Sequence, residues 1–196
     1  MNAILLPARH PDHPIDPQFL TRWSPRAFAA DAMSEAEVLT VLEAARWAPS
    51  ASNLQPWRFA YGLRGDQGFA GIVGALVPFN RVWADKAAAL VVVASAPTVT
   101  KDGVEVANVT HAFDAGAAWA QLALQAHLSG WVAHAVGGFA HDTLRAALQV
   151  PQGFALHAVV ALGRHGDLHS LPDALRAREV YSPRRPIAEL AKRGSF

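Results

Sequence analysis

The segment from His111 to Leu128 constrains this chain more than any other: it is Ala-rich and nearly apolar all round. Such a stretch reads as a helix that must be buried, and Gly130 is placed to stop it. Hydrophobic residues make up 52% of the 196-residue chain, and the mean hydropathy is +0.14. Yet the longest apolar run, Ala87 to Ala94, is of strand length, far short of the ~20 residues a membrane helix needs. The surplus apolar surface is therefore expected in one sizeable core and in an extensive subunit interface.

The formal net charge of +1 gives no electrostatic footprint for a nucleic-acid partner. The chain has no cysteine, which excludes disulfides, thiol catalysis and cysteine-held metals or clusters. Met1 to Pro7 lacks a basic leader and a full apolar core, so it does not read as a secretory signal. The expected location is the cytoplasm, without a membrane partner.

Residues 1–20, rich in Pro, His and Asp, read as an irregular N-terminal arm, and residues 21–196 as a single domain. Ser34 and Glu37 form a capping box, and Met33 with Val38 a hydrophobic staple. Val38, Val41, Leu42 and Ala45 mark the apolar face of the helix that follows, which Pro49 ends. Residues 57–61 suit a strand and 66–76 a short helix. Residues 89–94 suit a strand covered on both faces. A further short helix is expected over 142–149 and a strand over 154–162. The tail from Tyr181 is basic, with Pro183 and Pro186. Helices and strands alternate without regular βαβ units, and no Gly-x-Gly-x-x-Gly turn supports a dinucleotide fold. The pattern is that of an α+β or mixed three-layer domain.

Two clusters can carry chemistry. Arg22-Trp23-Ser24-Pro25-Arg26 sets two guanidiniums and a hydroxyl beside a stiff proline, which suits a phosphate; equally, it can be a solvated basic loop. Ala48-Pro49-Ser50-Ala51-Ser52-Asn53-Leu54-Gln55-Pro56-Trp57 offers hydroxyl and amide groups that can pair with a heteroaromatic edge, or forms an ordinary connection, since Ser, Asn and Pro favour turns.

Together these motifs resemble the FMN-dependent nitroreductase family. Asp114-Ala115-Gly116 is similar to the opening of that family's central dimer helix. Gly137-Gly138-Phe139 is similar to its flavin-facing loop, Ala161-Leu162-Gly163 to the end of a core strand, and Arg184 to Leu190 to its basic C-terminal element. The resemblance implies a nitroreductase-like three-layer α+β sandwich, a mainly antiparallel sheet flanked by helices. It also implies an intertwined homodimer whose C-terminal segment is exchanged onto the partner. By the same resemblance Arg22, Ser24 and Arg26 would hold the FMN phosphate and ribityl chain, with Trp23 beside them, joined by Arg184 and Arg185. Pro49, Ser50 and Ala51 would reach the flavin bound mainly by the other subunit. Asn53 and Gln55 would lie near the ribityl chain and ring, and Asn80 at the pyrimidine edge. Val136, Gly137 and Gly138 would approach the ring near N5, where glycine lets the backbone come close.

Several positions depart from the pattern. Trp23 stands where a second basic residue is common, Ala51 where a hydroxyl is frequent, and Ala135 where some members have proline. Trp83 stands where some members carry a lysine that stabilises charge on the reduced ring; its indole can stack or donate one hydrogen bond instead.

The activity implied is FMN-dependent oxidation of NADH or NADPH, coupled by ping-pong hydride transfer through flavin N5 to a nitroaromatic, quinone or related small acceptor. The flavin carries the chemistry, so no catalytic side chain is expected. A divergent, non-catalytic or specialised flavin binder is the alternative. A histidine-held metal, from His10/His13 or His165/His169, lacks a third ligand. A hydrolase lacks a Gly-x-Ser-x-Gly elbow. His127, His134 and His157 are expected as hydrogen-bonded core or interface residues.

Overall fold

The computed structural model describes residues 9–194; the leader reading of Met1 to Pro7 and the start of the arm lie outside them. The first half of the chain forms α1 (Gln18–Thr21), α2 (Glu35–Arg46), β1 (Trp57–Leu63), α3 (Gln67–Ala75), α4 (Pro78–Ala84) and β2 (Ala89–Ser95). Then follow β3 (Thr98–Lys101), β4 (Val104–Ala107), α5 (His111–Leu128), β5 (Val132–Val136), α6 (His141–Ala147), β6 (Ala155–Gly163), α7 (Asp173–Arg176) and α8 (Ile187–Leu190).

The apolar run anticipated as a covered strand is a central strand of the sheet. β2 is buried at every position and pairs antiparallel with β1 on one side and β6 on the other. β5 completes an antiparallel sheet of order β1-β2-β6-β5. Alternation along β2 divides the core. Leu90, Val92 and Ala94 pack with Phe69 and Ile72 of α3, Trp83 of α4 and Leu144 of α6. Ala89, Val91 and Val93 pack with Val38 and Val41 of α2 and Ala118 and Leu122 of α5. The result is helix, sheet, helix: the three layers expected.

One register break matters. Val93 pairs with Ala158 but Ala94 with Leu156, so His157 is the extra residue of a β-bulge, which re-aims its side chain.

Local signals set several boundaries. The Ser34–Glu37 capping box forms in full, and Met33 and Val38 lie in one buried cluster. At the end of α5, Gly130 has φ 75°, Gly130 N–H donates to His127 O at 3.0 Å and Trp131 N–H to Ala126 O at 2.8 Å. That is the paired closure a left-handed glycine allows.

α5 itself departs from the expectation of all-round burial. Ala115, Ala118, Leu122 and Ala126 are buried, but Phe113 is 82% exposed and Leu128 65%, with Gly116 and Ala120 exposed between them. One side meets the sheet and α2; among the described residues nothing covers the other. β5, α4 and the β3–β4 hairpin are additional to the elements read from sequence. Among the described residues, no helix is long and apolar enough to cross a membrane.

Candidate functional site

The Arg22–Arg26 loop leaves the end of α1. Thr21 Oγ1 and His127 Nε2, 2.8 Å apart, tie it to the last turn of α5. Arg22 Nη1 approaches Ser24 Oγ at 3.5 Å. Arg9, from the arm, donates through Nη1 to Leu20 O at 2.9 Å and Arg22 O at 2.8 Å. Burial, and then the nearby Arg9 and Arg184 guanidiniums, hold the Arg22 pKa below its ordinary value. Burial and then Arg184 lower that of Arg9, while Tyr181 raises it. Among the described residues, no carboxylate forms an ion pair with these three arginines. A cleft of about 710 Å³ runs between the arm and the segment from Tyr181 to Leu190, with Arg9, Tyr181, Arg184 and Arg185 on its walls. Asp12 also lines the cleft but bonds the Ile187 N–H and forms no ion pair there; an excess of cations over acids suits an anion.

Arg26 faces elsewhere. Its backbone N–H donates to both oxygens of the buried Glu179 carboxylate, at 3.0 and 2.9 Å, and its Nη1 to Oε1 at 3.2 Å. The guanidinium carbon lies 5.9 Å from the Trp83 ring. Trp83 is buried against Phe28 and His134, and its Nε1–H has no partner among the described residues. His134 Nδ1 lies 3.0 Å from Pro25 O. Burial, then the charge of Arg26, outweigh that hydrogen bond and lower the His134 pKa to about 4. The ring is therefore neutral, with its proton on Nδ1 toward the carbonyl. Trp23 makes edge contacts with His165 and Tyr181.

Asn80, on α4 one turn before Trp83, donates through Nδ2 to Gly138 O at 3.1 Å. A side chain at Gly138 would strike that amide, whereas one at Gly137 would meet nothing within 4 Å. Gly137 thus presents bare backbone to open space. Val136, the last residue of β5, packs half-buried against the core beside α4. Successive contacts thus link Arg26 to the buried Trp83, and Asn80, one turn before Trp83 on α4, to Gly138.

The Pro49–Trp57 segment lies apart. Ser50 Oγ accepts from Gln55 N–H at 3.0 Å, folding the motif on itself. Ser52, Asn53 and Gln55 all have left-handed backbones, with φ of 50°, 54° and 47°. Three such residues without glycine cost about 1 kcal/mol or more each, which marks a segment held for use. Pro49, Ala51, Asn53 and Gln55 are exposed. The anchor is the buried Asp114, which accepts from Ala51 N–H at 3.3 Å and Thr110 Oγ1 at 3.1 Å.

α5 measures the separation. Ala51 is tied to its residue 114 and Thr21 to its residue 127, about 20 Å apart at 1.5 Å per residue. Within one chain the two motifs do not converge.

Sequence reasoning missed Arg9, Glu179 and Asp114 as supports, because each acts on a motif distant in the chain. Of the other histidines, His169 accepts from Arg176, while Ser95 Oγ lies 2.7 Å from His111 Nδ1 and 2.6 Å from His157 Nε2.

Comparison with known proteins agrees with this layout. The nitroreductase family profile matches residues 20–68, the stretch that holds both motifs. An uncharacterized 15.4 kDa protein of the ask 5′ region of Mycolicibacterium smegmatis is 36% identical over 141 residues, 67% of this chain and 90% of that one. An oxidoreductase containing FMN superposes with a TM-score of 0.93 at 46% identity, over 96% of each chain. A protein of Desulfovibrio desulfuricans solved in complex with FMN gives 0.71 at 27% identity, over 91% of this chain and 95% of that one. With the motifs, the layered sheet and these relatives in agreement, the chain belongs to the nitroreductase family.

Proposed function

We propose that this protein is an FMN-dependent oxidoreductase that draws reducing equivalents from NADH or NADPH and passes them to a nitroaromatic, quinone or related small acceptor. The observation that carries the reading is the cluster of Arg9, Arg22 and Arg184, which have no carboxylate ion pair among the described residues, together with the bare Gly137 backbone. FMN has matching ends, a phosphate and a flat ring. The residues fit that group: the donors are of the right charge and a side chain at Gly137 would fill the open face. Two of the similar structures contain FMN.

Arg22, with Arg184 and Arg185, would hold the phosphate, with Ser24 adding a hydroxyl. Asn80, fixed by Gly138 O, would orient the ring's polar edge, and Gly137 would admit it to the backbone. When bound, FMN supplies a site, N5, that accepts and returns a hydride. Arg26 is held by Glu179 and Trp83 is a buried aromatic, so the surroundings of residue 83 carry less free positive charge than a lysine there would give.

The reading includes a homodimer. The Ser50–Gln55 segment stands about 20 Å along α5 from the arginine loop, and α5 has an uncovered apolar face with Gly116 and Ala120 at its middle. A second copy packed antiparallel on that face would bring one chain's Ser50 loop to the other's arginines. The outer edge of β1, unpaired among the described residues, would accept an exchanged C-terminal segment. A cytoplasmic location accords with a nicotinamide donor.

The test is the visible spectrum of the purified protein, before and after heat release, followed by NADH and NADPH oxidation with a quinone. A flavin spectrum with FMN near one per chain and turnover supports the reading; a colourless protein that takes up no FMN ends it. Bound flavin without turnover would favour a non-catalytic binder, the reading that the buried Trp83 favours.

A further inference from the structure

We propose that Arg9, in the arm ahead of the recognised motif, is a positioning residue of the phosphate end: it fixes Arg22 by its backbone, seats the Tyr181–Arg184 segment, and adds a further cation for a phosphate monoester. This rests on the flavin reading above.

The argument begins with helix ends. α1 is a single turn and its last carbonyls have no partner within the helix. Arg9 Nη1 takes two carbonyls there at once, Leu20 O and Arg22 O. Those atoms flank the Thr21–Arg22 peptide, so the contact fixes the point from which the Arg22 side chain departs. The plane of the same guanidinium lies over the Tyr181 ring, 4.4 Å from its centroid, and Tyr181 opens the segment that carries Arg184. The arm is also tied to that segment by Asp12, whose carboxylate accepts from Ile187 N–H at 2.6 Å. One side chain thus joins three parts of the chain: the arm, the end of α1 and the C-terminal segment.

Charge distinguishes this from a structural staple. A neutral amide could bridge carbonyls equally well. A guanidinium set beside Arg22 and Arg184 costs like-charge repulsion; after burial, the larger cause, Arg184 lowers the Arg9 pKa, and Arg9 and Arg184 lower that of Arg22. The acid nearest in sequence, Asp12, spends its Oδ2 on a backbone N–H instead. Three cations held together with no carboxylate ion pair among the described residues are stabilised when a dianion sits among them, and each then makes a charge-assisted bond or supports one.

The experiment compares FMN with riboflavin, which lacks the phosphate. Apoprotein of wild type, Arg9→Gln and Arg9→Lys would be titrated with each flavin and dissociation constants read from fluorescence quenching. In the expected result wild type prefers FMN, Arg9→Gln loses about tenfold to a hundredfold of that preference, riboflavin affinity holds, and Arg9→Lys recovers part of the loss. The proposal is overturned if Arg9→Gln keeps the wild-type preference, whether both affinities hold or both fall together. Should Arg9→Gln fail to fold, Arg9→Lys decides: a preference equal to wild type, with the fork lost, excludes positioning of Arg22. If wild type binds no flavin, or binds both alike, the flavin reading itself fails, a result separate from failure at Arg9.

Discussion

Glu179 holds Arg26 at two points: both carboxylate oxygens accept the Arg26 backbone N–H, and Oε1 also accepts from Nη1. The carboxylate is fully buried while the guanidinium is 17% exposed. Removing the Glu179 carboxylate strands both the Arg26 guanidinium and its backbone N–H, whereas removing both side chains strands the N–H alone. Glu179→Met is expected to lose about 3 kcal/mol of stability. The double variant Arg26→Met/Glu179→Met should recover the part of that loss due to the stranded guanidinium, the backbone N–H of residue 26 remaining without its acceptor. Urea unfolding of the three proteins checks this; a double variant as unstable as the sum of the singles would show that the pair is not the source.

The two glycines of the loop after β5 should respond differently to the same added methyl. At Gly138 a Cβ would come within 2.6 Å of Asn80 Nδ2 and 3.0 Å of Val77 Cγ2. Gly138→Ala should therefore break the Asn80 bond and cost about 1–2 kcal/mol. Gly137→Ala meets no protein atom, so the apoprotein should melt at or slightly above the wild-type temperature. Its FMN affinity should nevertheless fall, because the methyl occupies the face offered to the ring. Melting curves and FMN titrations of both variants decide. Undiminished FMN binding by Gly137→Ala would remove the glycine pair from the site.

The sequence was most informative where the structure is local. The α2 cap, the buried run of β2 and both ends of α5 follow from neighbouring residues. The β3–β4 hairpin also had a local signal: Asp102-Gly103, both at positive φ, between Val-rich flanks, is the favoured two-residue turn. β5 had none, since Val-Ala-His-Ala-Val gains strand structure only by pairing with β6. In the site, the two motifs were legible as patterns. Their supports were not: Glu179 lies 153 residues from Arg26 and Asp114 63 from Ala51. α5 reads as buried because its exposed side, with Phe113, Gly116, Ala120 and Leu128, is as apolar in composition as the side that meets the sheet and α2.

That uncovered face supplies the next prediction. Ala120 is exposed in the middle of it, so Ala120→Glu places a carboxylate on the surface of a lone protomer at little cost. At an interface the same carboxylate would be buried without a partner, at several kcal/mol. Sedimentation should find wild type dimeric at micromolar concentration and Ala120→Glu monomeric, with its FMN lost. A dimer of the variant that retains flavin would exclude this face as the interface.

Acid should loosen the protein through histidines that the fold keeps neutral. Burial, then the charge of Arg26, lower the His134 pKa from 6.5 to about 4. Burial and then His111 lower that of His157. Between those values the unfolded chain binds protons that the native state refuses, so stability is full above pH 6.5 and lost as pH falls toward 4. For His134 the loss amounts to about 3 kcal/mol across that window. Ser95 adds a second contribution of the same sign. Its one hydroxyl proton serves one imidazole while it accepts from the other. When His157 is charged, Ser95 can only accept from it, and the cation stands with its ring centroid 5.7 Å from that of His111. Urea unfolding from pH 7.5 to 4.5 should therefore show a steep fall for wild type and a shallower one for His134→Gln. Ser95→Ala should begin less stable by about 1–3 kcal/mol and fall less steeply as well. Curves for the variants that run parallel to wild type would show that neither histidine pocket governs the acid response.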